Sequence, residues 1–282
     1  LVLILAGFVN SRADFGDKPG EFIFPTGIAL DGEGNIYTCE LGCDRVQKLN
    51  PDLDYIDGWG RFGRDTTGFD DPMSLAIGAD GTLYVVDSGN RRVVMYDQNG
   101  LRTKEIDLPD SSLPWGIAVE ANGGFYVSDY TRNLVYKIDP GGQIISSLNG
   151  KTGSNDPFNK PKGLALDGED RIYVVDSGNN RVVILSPEGD YVKSWGNYGE
   201  SEGEFDNPSG IAIGPDGQVF VSDSGNDRFQ EFNLDGGFQS MGGGSGPEPN
   251  QFYNPQGIAV DRQGNLYIVD CDNHRLQFFS AQ

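Results

Sequence analysis

The chain has 282 residues, with 21 Lys and Arg against 42 Asp and Glu, a net charge of −21. A surface of that sign repels a phosphate backbone, and no run of Lys or Arg interrupts it, so nucleic-acid binding is set aside. With 37% hydrophobic residues, 41 Gly and 15 Pro spread among short apolar runs, the composition favours a turn-rich all-β protein over a helical one.

In chain order the first element is LVLILAGFV, residues 1–9, the only long apolar run. It is too short to span a bilayer as a helix. It reads either as the end of a secretory or membrane-anchoring segment or as a buried strand. Beyond it, Pro-x-Gly-Ile-Ala or a close variant recurs six times, with prolines at Pro25, Pro72, Pro114, Pro161, Pro208 and Pro255, spaced 47, 42, 47, 47 and 47 residues apart. Fifteen residues after each proline stands an acid: Glu40, Asp87, Asp129, Asp176, Asp223 and Asp270. A fixed period of this length marks a repeat architecture. What recurs six times belongs to the fold, so function is sought where the copies differ.

The fourth copy shows the unit most plainly. Strands are predicted over Gly163–Leu166, Arg171–Val175, Val182–Leu185 and Tyr191–Trp195, separated by turns at Asp167–Asp170, Ser177–Asn180 and Pro187–Gly189. The strands carry β-branched and aromatic residues, and Gly and Asn in the turns accept positive φ cheaply. Four antiparallel strands, six times over, predict a six-bladed β-propeller. The small residues at the centre of each innermost strand, Ala29, Ala76, Ala118, Ala165, Ala212 and Ala259, are expected at a crowded channel.

Residues 8–22, FVNSRADFGDKPGEF, align with residues 191–205, YVKSWGNYGESEGEF, whereas the sixth copy stops after its third strand. Residues 8–16 are therefore expected to supply the missing fourth strand and close the ring, which removes the open edges of a linear stack. Counted through the termini, the interval from Pro255 to Pro25 exceeds the period by five residues. Leu1–Leu5 then form an overhang, a leader or anchor remnant or an added strand contact, ahead of one propeller domain at 6–282.

The unit resembles the NHL-repeat family, in which the acid ending the second strand is followed by Asn-x-Arg. The matching sets are Asp87/Asn90/Arg92, Asp176/Asn179/Arg181, Asp223/Asn226/Arg228 and Asp270/Asn273/Arg275, with Glu40/Cys43/Arg45 and Asp129/Arg132/Leu134 departing from the pattern. The resemblance implies the fold; relatives include lyases, RNA-binding modules, sensors and scaffolds, so it fixes no activity. Sixfold recurrence assigns the acid–Arg pairs to architecture, holding the turn or bridging blades.

The residue after each proline is expected at the channel mouth: Thr26, Met73, Trp115, Lys162, Ser209 and Gln256. These six differ entirely, as a binding surface permits. The third copy departs most, with a preceding interval five residues shorter and Asp129-Tyr130-Thr131-Arg132-Asn133 as its turn. Trp115, Tyr130, Arg132 and Lys162 are expected to form an aromatic–basic patch for a partner or ligand, with Met73 nearby.

Other chemistry is sparse. A single histidine, His274, argues against a zinc site, which takes three or four ligands. A structural Ca²⁺ held by carboxylates and carbonyls stays open, with Glu40 as first suspect. Cys43 and Cys271 lie in turns of copies that adjoin only when the ring closes, so they are the disulfide candidates. That pairing and the acidic composition point to an extracytoplasmic protein, attached to a membrane only through an N-terminal anchor. The expectation is a non-enzymatic propeller binding a protein partner or small ligand on its upper face, as a scaffold or accessory subunit without a cofactor. The alternative is a Ca²⁺-dependent hydrolase or lyase with carboxylates at the channel mouth.

Overall fold

A computed structural model describes residues 9–12, 14–150 and 156–281; the overhang Leu1–Leu5 lies outside them. Six four-stranded antiparallel sheets form the blades of a propeller. In the fourth blade the strands are Pro161–Leu166, Ile172–Asp176, Arg181–Leu185 and Tyr191–Trp195. Each differs from its expected span by no more than two residues at an end. The innermost strand of every blade packs beside that of the next, and the sixth returns to the first. Closure follows the expected route: Val9–Arg12 pairs antiparallel with Arg275–Phe279 as the outermost strand of blade six. Of the 8–16 stretch expected, residues 8 and 13 lie outside the described residues, and Phe15 makes a bridge to Phe22 in the loop entering blade one.

One apolar cluster fills each of the six interfaces between blades. In the closing interface Phe22, Ile28, Ile36 and Leu49 of blade one meet Tyr267, Val269 and Leu276 of blade six. Each large apolar side chain buried this way stabilises the ring by roughly 1.5–3 kcal/mol, so a seam joined by the two chain ends is as well filled as any other.

The alanines are placed differently from expectation. Ala118 packs with Tyr126 and Val135 against Leu164 and Val174 of the next blade, while Ile117 and Val119 face the preceding one. Side chains of a strand alternate between its two faces, and both faces of a blade are interfaces. Where the innermost strands of neighbouring blades adjoin, backbone comes close to backbone. The residue that must be small there is the glycine two after proline: a Cβ on Gly163 would lie 2.5 Å from the Ser209 carbonyl oxygen, and one on Gly210 2.3 Å from that of Gln256.

Candidate functional site

The acids ending the second strands are all fully buried. Asp176 accepts hydrogen bonds from the backbone N–H of Asn159 (2.6 Å), Asn179 Nδ2 (2.8 Å) and Arg181 Nε (2.7 Å). Arg181 also donates to the Asp156 carbonyl at 2.7 Å. Each such acid ties its own turn to the loop arriving from the preceding blade. Glu40 is one of these hubs: its oxygens accept from Ile23 N–H (2.9 Å), Arg45 Nε (2.7 Å) and Gln47 Nε2 (2.7 Å). With these donors on both oxygens, Glu40 holds the same place in its blade as Asp176 does in the fourth.

The third blade lacks this arrangement. Where the others have Arg it has Leu134, and where four of them have Asn it has Arg132. Asp129 Oδ1 accepts from backbone N–H groups of Leu113, Thr131 and Arg132 at 3.0–3.2 Å. Its other oxygen, Oδ2, is buried without a partner.

The turns after the second strands and the loops entering the first strands share the upper face. A side-chain acceptor in one blade's turn receives the N–H of the residue preceding proline in the next. The pairs are Asp44–Asp71 (2.9 Å), Asn133–Lys160 (2.7 Å), Asn180–Asn207 (2.8 Å) and Asp227–Asn254 (2.9 Å). At the closing seam His274 Nδ1 takes this role for Phe24 N–H at 3.1 Å, flanked by the rings of Phe15 and Phe24. Both partners of each pair are left-handed, with φ of 48–57°.

Of the six residues after proline, Thr26, Met73, Trp115, Ser209 and Gln256 line a channel-mouth cavity of about 110 Å³. Lys162 takes another direction, its Nζ donating to Asn207 Oδ1 at 3.1 Å in the fifth blade's loop. It is 4% exposed and sits over the Trp115 ring, 5.0 Å from its centroid. Trp115 stacks on Tyr130 at 5.2 Å and 27°, and Lys160 Nζ lies 5.5 Å above the Tyr130 ring. The expected patch therefore exists as a ladder, Lys162–Trp115–Tyr130–Lys160. Met73 shares the cavity with Trp115. Arg132 does not join the ladder; it is exposed and donates to the Asp110 carbonyl at 3.2 Å. Burial, reinforced by Lys160, holds the Lys162 amine down to about 8.

Lys160 and Asn207 were missed by sequence reasoning. The Lys-Pro-Lys spacing was a visible signal for the first; nothing local marks the second. Also missed was a lower-face cavity of about 600 Å³ among the turns of blades six, one and two, with Glu33, Lys48, Gln98 and Arg262 in its lining. Asp31 there is spent on its own turn, accepting from Glu33 and Asn35 N–H at 2.9 Å.

The cysteines are free, so the Cys43–Cys271 bond is absent. Cys271 occupies the turn position of Ser177 and Ser224, whose hydroxyls reach the next blade, at Asn207 Oδ1 (3.0 Å) and the Pro255 carbonyl (2.5 Å). Cys43 occupies the position of Asn179, which turns back to its own incoming loop at the Pro157 carbonyl. The two positions serve opposite sides of the turn. Cys39 is buried at the interface of blades one and two, where burial pushes its thiol up to about 11, a protonated, inert state.

Among the described residues one group of acids lies close enough to share a cation: the carboxylates of Asp44, Asp70 and Asp71, all within 4.8 Å of one another. Burial, then the charges of neighbouring carboxylates, raises the pKa of Asp44 and Asp71.

The NHL repeat family matches residues 158–185, 205–232 and 252–279. Residues of this chain are 28% identical to mouse teneurin-1 over 135 residues, which is 44% of the chain and 5% of that protein; for human teneurin-1 the figures are 28% over 114 residues, 37% and 4%. The chain thus spans a small fraction of the curated relatives it matches. A structural-genomics protein of unknown function from Bacteroides thetaiotaomicron superposes with a TM-score of 0.77 at 17% identity, covering 96% of this chain and 75% of that one. A catalytically inactive virginiamycin B lyase from Staphylococcus aureus with quinupristin gives 0.69 at 17%, covering 98% and 86%. A gluconolactonase from Xanthomonas campestris gives 0.69 at 14%, covering 93% and 88%. At these identities the likeness is one of fold.

Proposed function

Taking three NHL repeats within a six-bladed propeller as the premise, we propose that this protein is a non-enzymatic recognition module. It binds a protein partner or small ligand on its upper face through Trp115, Tyr130, Lys162 and Met73, with Lys160 and Arg132 at the edge. The observation that carries the reading is the Lys162–Trp115–Tyr130–Lys160 ladder. It interrupts the repeat, contributes nothing to the acid–Arg hubs, and places aromatic rings and positive charge together beside the channel-mouth cavity. Aromatic and basic anchors of this kind dominate recognition surfaces.

The test is capture from the native source with wild-type protein, Trp115→Ala and Arg132→Ala. Loss of the same captured species with Trp115→Ala, and weakening with Arg132→Ala, at near wild-type melting temperature supports the proposal. Capture indifferent to Trp115→Ala removes the site. A second reading, a Ca²⁺-dependent hydrolase or lyase, has the enzymes among the structural neighbours on its side. Its carboxylates would be Asp44, Asp70 and Asp71, since Glu40 is committed to Arg45 and Gln47. Stoichiometric Ca²⁺ lost on Asp71→Asn would favour it.

A further inference from the structure

Resting on that upper-face reading, we infer that the group recognised there is a carboxylate carried on an apolar body, and that Lys162 receives it. The other five residues at this repeat position are neutral, so the blade does not require a cation. Lys162 is almost wholly buried, yet its Nζ meets only the neutral Asn207 oxygen and the Trp115 face. An ammonium carries three donors, and buried charges are ordinarily paired. Here one donor is used and the charge is unanswered.

Acids outnumber bases two to one in this chain. Even so, among the described residues Lys160, Lys162 and Arg132 have no carboxylate within 4 Å. The groups facing Lys162 are Trp115 from the third blade, Asn207 from the fifth, and Lys160 from its own loop. The second blade has Asp71 where the fifth has Asn207; an acid there would complete the pair internally. The amide instead leaves the counter-charge to an incoming ligand. Trp115 and Met73, which line the adjoining cavity, supply the apolar contact for the body that bears it. The amine, held down to about 8 by burial and Lys160, stays mostly protonated at neutral pH and loses its charge just above.

Benzoate is the probe, with benzamide as its neutral counterpart, followed by calorimetry and by the Trp115 indole signal in nuclear magnetic resonance. Benzoate is expected to bind saturably at pH 7 and perturb Trp115, with benzamide at least ~10-fold weaker, the scale of one charge-assisted hydrogen bond. Affinity should fall about tenfold per pH unit above roughly 8. Asn207→Asp, which supplies the missing acid, should cost ~10-fold or more. Lys162→Met should abolish binding while melting at or above the wild-type temperature, because it removes an uncompensated buried charge. No saturable benzoate binding, equal binding of benzamide, or indifference to Asn207→Asp overturns the inference. If Trp115→Ala still abolishes partner capture in that case, the recognition site stands and only its ligand chemistry is wrong.

Discussion

Two aspartates at the same repeat position have different surroundings, and their substitutions should separate. Asp176 holds Arg181 at 2.7 Å, so Asp176→Asn leaves a largely buried guanidinium without its counter-charge. A loss of about 3 kcal/mol is expected from breaking such a pair. Asp129 has no arginine, and its Oδ2 accepts no hydrogen bond among the described residues. Asparagine there keeps the Oδ1 acceptor for Leu113, Thr131 and Arg132, so Asp129→Asn should cost about 1 kcal/mol or less. Urea denaturation of both variants decides this; equal losses would mean the third blade has a hidden cation. The position was legible in the sequence as an acid every repeat. Leu134 in the arginine's place marked a departure from the pattern, and the fold decides whether another cation reaches the acid from elsewhere. None does so among the described residues.

At the scale of the turn, the left-handed residue after each second strand is a latch between blades. Its acceptor is Asp or Asn at four junctions and His274 at the seam. At the remaining junction Arg91 has the turn position and brings no side-chain acceptor; its carbonyl accepts from Leu108 N–H at 2.8 Å, as the Asp227 carbonyl does from Gly244 N–H at 2.9 Å. His274→Asn replaces the Nδ1 acceptor for Phe24 N–H with an amide oxygen and keeps a residue type that tolerates φ near 54°. It should leave the melting temperature near wild type. His274→Ala loses both the acceptor and the ring between Phe15 and Phe24, and is expected to cost about 1–2 kcal/mol. A melting comparison of the two variants checks the assignment; an equally destabilised asparagine variant would show that ring packing alone matters. Strand positions could be read from alternation and turn residues, whereas the latch could not. It joins side chains to backbone 27 residues away, or 250 across the seam.

Across the whole molecule the charge is strongly one-sided, at −21. Asp44 and Asp71 add a local version of this, their pKa values raised above 3.8 by burial and by neighbouring carboxylates. A carboxyl raised in the fold favours its protonated form there. Its stabilising contribution is complete below 3.8 and is lost as pH rises through the folded value. Relief of general repulsion on acidification has the same sign. The melting temperature should therefore be higher at about pH 5 than at about pH 7.5 in low salt, with the gap narrowing near 0.5 M salt as surface charges are screened. Thermal scans at the two pH values test it, and a lower melting temperature at pH 5 contradicts it.

The sequence by itself determined the number of blades, the strands of each, and the closing of the ring by its N-terminal strand. These follow from a period that local chemistry repeats: proline, glycine and a buried acid at fixed offsets, between runs suited to strands. It also placed Trp115, Tyr130 and Lys162 on one face, because connectivity alone puts those loops together. Only the tertiary structure decided how they meet. Lys162 bends to Asn207 and rests on Trp115, Arg132 leaves the ladder, Glu40 is saturated by Arg45 and Gln47, and Cys43 and Cys271 serve opposite sides of their turns. Those outcomes depend on which side chain from a neighbouring blade fills each space. A repeat period specifies the neighbour's position and leaves its identity to the residues that break the repeat.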